Sequence, residues 1–130
     1  MSENKNMHIG IDIIEIDRIA SVLGKYPVRF LEKIFTEYEK NYCRGRPAQL
    51  AARFASKEAF SKSIGTGISN SLNFKDIIIK NDKTGKPFFH ITKKIKSIIK
   101  KKFKVTKFNF ILSISDEKNY SIAFVIFQKK

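Results

Sequence analysis

Hydrophobic and polar positions along the chain alternate between two periods, and each shift of period marks a change of element. Residues 9–16, Ile-Gly-Ile-Asp-Ile-Ile-Glu-Ile, are β-branched and apolar with acids embedded, the pattern of a buried strand. Asp17 to Leu23 predicts a helical turn or more, closing at Gly24 with Pro27 beyond it. Thr36 and Glu39 have the spacing of a capping box, which starts a short helix running to about Tyr42. A longer helix is expected from Pro47, suited to a first turn, to about Ile64, with Gly65 and Gly67 marking its end. Phe74–Lys80, the turn residues 81–85 and Pro87–Ile91 read as a hairpin. A lysine-rich helix over about Thr92–Lys102 follows, striped by Ile95, Ile98 and Ile99. Two strands then flank a turn at Asp116–Asn119, about Phe108–Ser115 and Tyr120–Phe127. The order β-α-α-α-β-β-α-β-β predicts an α+β fold in a single domain, with a mainly antiparallel sheet and one long central helix.

Length and composition narrow this further. At 130 residues the chain has room for one core, and residues 1–8 are expected as a flexible or short extension. No stretch approaches the ~20 apolar residues of a membrane span. The polar start, MSENKNMH, does not resemble a secretory signal, so a cytoplasmic location is expected. The lone Cys43 excludes an internal disulfide framework and a multi-cysteine zinc site. A net charge of +14 would ordinarily point to a polyanion. The basic residues are 21 Lys but only 5 Arg, beside 20 Ile, 12 Phe and 8 Asn, all with A/T-rich codons; base composition and an acidic partner are equally good explanations.

Three features fit a purely structural protein poorly. Asp12 sits mid-strand among apolar residues, where a carboxylate must be paired, capped, bound to a metal or used in catalysis. Leu50, Phe54, Glu58 and Lys62 are each four apart and share one helix face. The apolar part of that stripe carries Glu58 into a half-buried position; alone, a Glu58–Lys62 surface pair would explain it. Together, Asp12 and Glu58 could hold one hard divalent cation such as Mg²⁺. Gly65-Thr66-Gly67 is a C-cap or, beside Arg53, Lys57 and Lys62, part of a phosphate site. P-loop, Rossmann, G-x-S-x-G and H-E-x-x-H patterns are absent, and the only histidines, His8 and His90, are scattered and expected at the surface.

Residues Ile9 to Ile19 resemble the amino-terminal signature of the holo-[acyl-carrier-protein] synthases, the small 4′-phosphopantetheinyl transferases. Arg53 to Lys62, running into Gly65-Thr66-Gly67-Ile68, is similar to their second signature, and Gly85-Lys86-Pro87 and the closing strand pair match as well. The likeness spans about Ile9 to Phe127. It implies a cytoplasmic, Mg²⁺-dependent transferase of fatty acid biosynthesis. Such an enzyme moves 4′-phosphopantetheine from coenzyme A to a serine of apo-acyl carrier protein and releases adenosine 3′,5′-bisphosphate. By resemblance, Asp12 and Glu58 fall on the metal ligands and Lys62 on the phosphate-contacting lysine. Arg53, Gly65, Thr66, Gly67, Lys86 and Pro87 fall near coenzyme A, and Arg18 and Arg29 on positions that meet the carrier. A homotrimer with active sites between subunits is implied; neither a membrane nor a nucleic acid is expected as a partner, a small basic nucleic-acid-binding module being the alternative reading of the charge. Ile111 and Asp116-Glu117 depart from histidine-containing patterns common in the family. The acceptor of the serine proton is left open.

Overall fold

The computed structural model describes residues 5–130. Strand β1 (Met7–Glu15) leads into helices α1 (Ile16–Lys25), α2 (Pro27–Ile34), α3 (Glu37–Cys43) and α4 (Pro47–Ser63). A 3₁₀ turn (Phe74–Asp76) precedes the hairpin β2 (Ile78–Asn81) and β3 (Pro87–His90). Helix α5 (Lys93–Phe103) and strands β4 (Phe108–Asp116) and β5 (Tyr120–Lys129) complete the chain. The longer strands form an antiparallel sheet in the order β1-β5-β4, separate from the β2-β3 hairpin. The α+β, antiparallel expectation holds.

α4 packs across the inner face of the three-stranded sheet, against β1 and β5. Most of its circumference is buried, Leu50, Ala51, Ala55, Ala59 and Phe60 included, so it acts as the central helix of the fold. The small residues at 51, 52, 55 and 59 permit close approach. Closest of all is Gly10: a Cβ there would lie 1.9 Å from the carbonyl oxygen of Ala59 and 2.6 Å from the amide of Ser63. Only glycine lets β1 lie this near α4. The register then pairs Asp12 with Ala123 of β5 and sets its side chain on the inner, helix-facing side of the sheet.

The outer face is apolar and uncovered. Ile9, Ile11 and Ile13 on β1 pair with Ile126, Phe124 and Ile122, and Ile111 on β4 pairs with Ile126 from the other side. Ile9, Ile11, Ile13 and Ile111 are 46–58% exposed.

The observed elements correct four expectations. Strand β1 begins at Met7 and ends at Glu15, so it takes in the last two residues of the expected extension; residues 1–4 lie outside the described residues. Gly24 lies inside α1, which runs on to Lys25. Pro27, read as a sign of termination, occupies the first turn of an additional helix, α2, where its missing N–H has no partner to lose. Phe74–Asp76 is a 3₁₀ turn instead of a strand, because Asn73 and Asp76 cap it reciprocally: Asn73 accepts from the Lys75 amide, and Asp76 from the Asn73 amide.

Candidate active site

β1 and α4 bring Asp12, Glu58 and Lys62 together. The Lys62 ammonium donates to Asp12 Oδ1 at 2.9 Å and to the carbonyl of Ile11 at 3.2 Å. Asp12 is only 17% exposed whereas Lys62 is half-exposed, so the pair lies at the mouth of the β1–α4 crevice. One turn back, Glu58 is half-buried, as its place on the stripe predicts. Burial raises its pKa above the usual carboxylate value; the Asp12 charge raises it further and Lys62 partly offsets both. A cation beside both carboxylates would relieve this repulsion, as Lys62 already does for Asp12.

Oxygen-only donors suit a hard divalent ion. No group of three or more His, Cys, Asp or Glu that could hold a metal exists among the described residues. A pair of carboxylates is the protein share that Mg²⁺ typically takes, the rest of its shell being water and substrate phosphate. The donor set therefore fits Mg²⁺ and does not fit zinc.

Lys62 and Gly65 also border a hollow of about 490 Å³, which His8, Lys102 and Phe103 line as well. Gly65 and Gly67 both have positive φ, +74° and +62°, so they turn the chain after α4. The amides of Thr66 and Gly67 both donate to the carbonyl of Ser61, as helix-terminating bonds do. The cap reading of Gly65-Thr66-Gly67 is thus realised, and Gly65 in addition lines the hollow. His8, expected at the surface, stacks on Phe127 and packs against Phe103, with its Nε2 buried and without a hydrogen-bond partner among the described residues.

Arg53 belongs elsewhere. It is buried with its guanidinium 4.5 Å above the Tyr42 ring, and it donates to Gln49 Oε1 at 2.7 Å. A hollow of about 380 Å³ opens there, lined by Arg53, Asn81, Gly85, Lys86, Pro87 and Asp116 among others. Asn81 holds the β2–β3 turn by donating to the carbonyl of Gly85 at 3.0 Å. This hollow lies against β4, one edge of the sheet, whereas Asp12 lies on β1, the other edge. Within one chain the expected coenzyme A residues therefore form two groups, Arg53-Lys86-Pro87 and Lys62-Gly65. Ile111 lies on the exposed outer sheet face, and Asp116 lines the Arg53 hollow while accepting from the Ser121 hydroxyl. Tyr42 and Asn81 had no signal in spacing, because they reach Arg53 only through the packing of α3, α4 and β2, whereas Gln49 lies four residues before it on the same helix.

Lys57 corrects an expectation. It is fully buried, points away from the crevice, and donates to Glu39 Oε1 (2.6 Å) and to the carbonyls of Ile34 (2.7 Å) and Phe74 (3.0 Å). It cannot reach a phosphate. Burial lowers its pKa, against the pull of Glu39.

Arg18 on α1 and Arg29 on α2 are exposed. Neither makes a hydrogen bond or ion pair among the described residues. Val22 on α1, Tyr26 between the two helices and Val28 on α2 are exposed, at 39%, 56% and 74%.

Gly10 seats β1 on α4, and the strand's embedded acid thereby meets the carboxylate and lysine of the helix. The chain belongs to the 4′-phosphopantetheinyl transferase superfamily, whose profile matches residues 8–125. It is 51% identical over 129 residues to the holo-[acyl-carrier-protein] synthase of Pelagibacter ubique, covering 97% of this chain and 99% of that relative. Its fold is similar to the Helicobacter pylori holo-[acyl-carrier-protein] synthase in complex with coenzyme A, with a TM-score of 0.83, 31% identity, and 92% and 99% of the two chains covered. The Bacillus anthracis holo-(acyl-carrier-protein) synthase in complex with CoA (3′,5′-ADP) is similar at a TM-score of 0.76 and 38% identity, covering 95% and 96%.

Proposed function

We propose that the protein is a holo-[acyl-carrier-protein] synthase, transferring 4′-phosphopantetheine from coenzyme A to a serine of apo-acyl carrier protein. The observation that carries this reading is the Asp12–Glu58–Lys62 junction in a chain of this superfamily. The serine oxygen bonds to the phosphorus that carries pantetheine, the pyrophosphate P–O bond breaks, and adenosine 3′,5′-bisphosphate departs. Such displacements need positioning and charge neutralisation more than covalent catalysis. Asp12 and Glu58 would hold Mg²⁺, which when bound supplies positive charge to the pyrophosphate. Lys62, already placed beside Asp12, sets a second cation against the same oxygens. The Arg53 guanidinium and Lys86, above a hollow floored by Pro87, suit the nucleotide's phosphates and base. Gly65 and Gly67, both at positive φ, turn the chain beside Lys62, where Gly65, Thr66 and Gly67 would border coenzyme A.

Those two halves stand at opposite edges of one sheet, which supports assembly into a homotrimer with a site at each junction. A head-to-tail ring sets the β1 edge of one subunit beside the β4 edge of the next. The uncovered isoleucines of the outer face are the surface that such a ring would bury. Light scattering should give three chains per particle, and a 15 kDa particle would refute it.

The carrier surface would be α1–α2. Exposed Val22, Tyr26 and Val28 offer apolar contact, while Arg18 and Arg29 offer bidentate grips for carboxylates. Among the described residues no helix is long and apolar enough to cross a membrane, and a cytoplasmic location is proposed with the function. The test is incubation with coenzyme A, Mg²⁺ and apo-carrier. Intact mass should show the carrier gaining the ~340 Da of the transferred arm, and no gain would refute the reading.

A further inference from the structure

The lysines are spread along the chain, but the acids are not. Residues 83–115 contain ten lysines and no acid, so half of the 26 basic residues and only two of the 12 acids lie beyond residue 82. Codon bias toward lysine does not remove aspartate and glutamate from one segment. The fold gathers this charge around α5, whose apolar side, Ile95 and Ile99, is buried and whose exposed residues are lysines and Ser97. Two adjoining hollows, about 470 and 370 Å³, share Thr106. Lys100, Lys101 and Lys104 stand on one side of it, and Lys96, Lys107 and Lys130 on the other. The Lys130 amide donates to the Lys107 carbonyl at 2.9 Å, which holds these two residues of the second hollow together. None of these six side chains has an ion-pair partner among the described residues.

We propose that this trough binds the phosphodiester backbone of a nucleic acid without reading its sequence, a second binding function separate from transfer and contrary to the expectation of no nucleic-acid partner. A linear chain of phosphates can pass from one hollow to the next along the cations that line both. A protein partner would need aromatic or arginine anchors. The trough has no arginine, and no exposed large apolar residue lies between residues 91 and 108. Lysine point charges on flexible stems suit diffuse phosphate contact.

The test uses the full chain, a labelled mixed-sequence RNA of about 20 nucleotides, and anisotropy from about 50 to 200 mM KCl. In K96Q/K100Q/K104Q/K107Q, affinity should fall at least about tenfold and the salt slope by roughly 3, at about 0.7 per phosphate contact on a single strand. The equally charged control K5Q/K75Q/K83Q/K118Q should lose far less, and the same four trough positions changed to Arg should keep binding. Transfer from coenzyme A to carrier should be unchanged in all three, so this proposal and the transferase reading fail separately. Equal weakening in trough and control variants would overturn the trough. So would intact RNA binding with slowed transfer in the trough variant, which assigns the face to the carrier. Lysine-dependent pelleting with phosphatidylglycerol vesicles in the absence of RNA binding would equally overturn it.

Discussion

Lys57 and Glu39 meet at 2.6 Å with neither side chain reaching solvent, one residue before the carboxylate that faces the crevice. Glu39 also accepts from the amides of Thr36 and Ile79, both at 2.8 Å, so one carboxylate ties α3, α4 and β2 together. Fixing α4 about its axis here fixes where Glu58 points on the other side. Lys57→Met should destabilise the protein by about 3–5 kcal/mol, because it leaves Glu39 buried without its cation. Urea unfolding checks this, and Lys57→Met with Glu39→Gln together should cost less than the sum of the single changes.

Gly10→Ala tests the seating of β1 on α4. Its methyl group would meet backbone atoms, which cannot rotate away. A loss of about 3 kcal/mol is expected. Because β1 must lift, transfer per folded molecule should also fall; unchanged activity at saturating Mg²⁺ would show that the close approach does not set the site.

Cys43 is fully buried, and burial holds its thiol above the ordinary value of 9.0. In the unfolded chain the thiol ionises first, so its contribution to stability is whole below that value and is lost as pH rises through it toward the folded pKa. Cys43→Ala should therefore flatten the decline of stability between about pH 8.5 and 10. Native protein at pH 8 should react with a thiol reagent only on the timescale of unfolding.

Arg18→Glu or Arg29→Glu should raise the KM for carrier about tenfold, with the KM for coenzyme A nearly unchanged. The effect should shrink as salt rises, since the Debye length is only about 8 Å at 0.15 M. Equal losses for both substrates would place these arginines in the nucleotide site or in the fold.

Much of the site was legible in the sequence because its signals are local. Asp12 interrupts an apolar strand, and the four-residue spacing from Leu50 to Lys62 puts Glu58 at the end of a buried stripe. What was not legible depends on elements meeting. Thr36-x-x-Glu39 was readable as a capping box, and the box forms, but nothing local says that Glu39 also neutralises a lysine 18 residues on. Gln49, Arg53 and Lys57 are each four apart on α4 and read as a polar face, so the burial of Lys57 had no local signal. Pro27 misled because a proline ends one helix and begins another with equal ease. The separation of Arg53 from Lys62 along one helix, nine residues or about 13 Å, was also readable. That the two groups serve opposite sheet edges was not.

Intact-mass analysis of carrier after a single incubation with coenzyme A and Mg²⁺ tests the central claim most directly, comparing wild-type enzyme with Asp12→Ala and Glu58→Ala. Both variants should stay folded, because each loses one of two carboxylates that repel each other, and circular dichroism should show it. With wild-type enzyme the carrier should gain about 340 Da, and with either variant that gain should vanish or fall by at least a hundredfold in rate. Near-normal conversion by both folded variants would contradict the assignment of Asp12 and Glu58 as the pair that holds the metal.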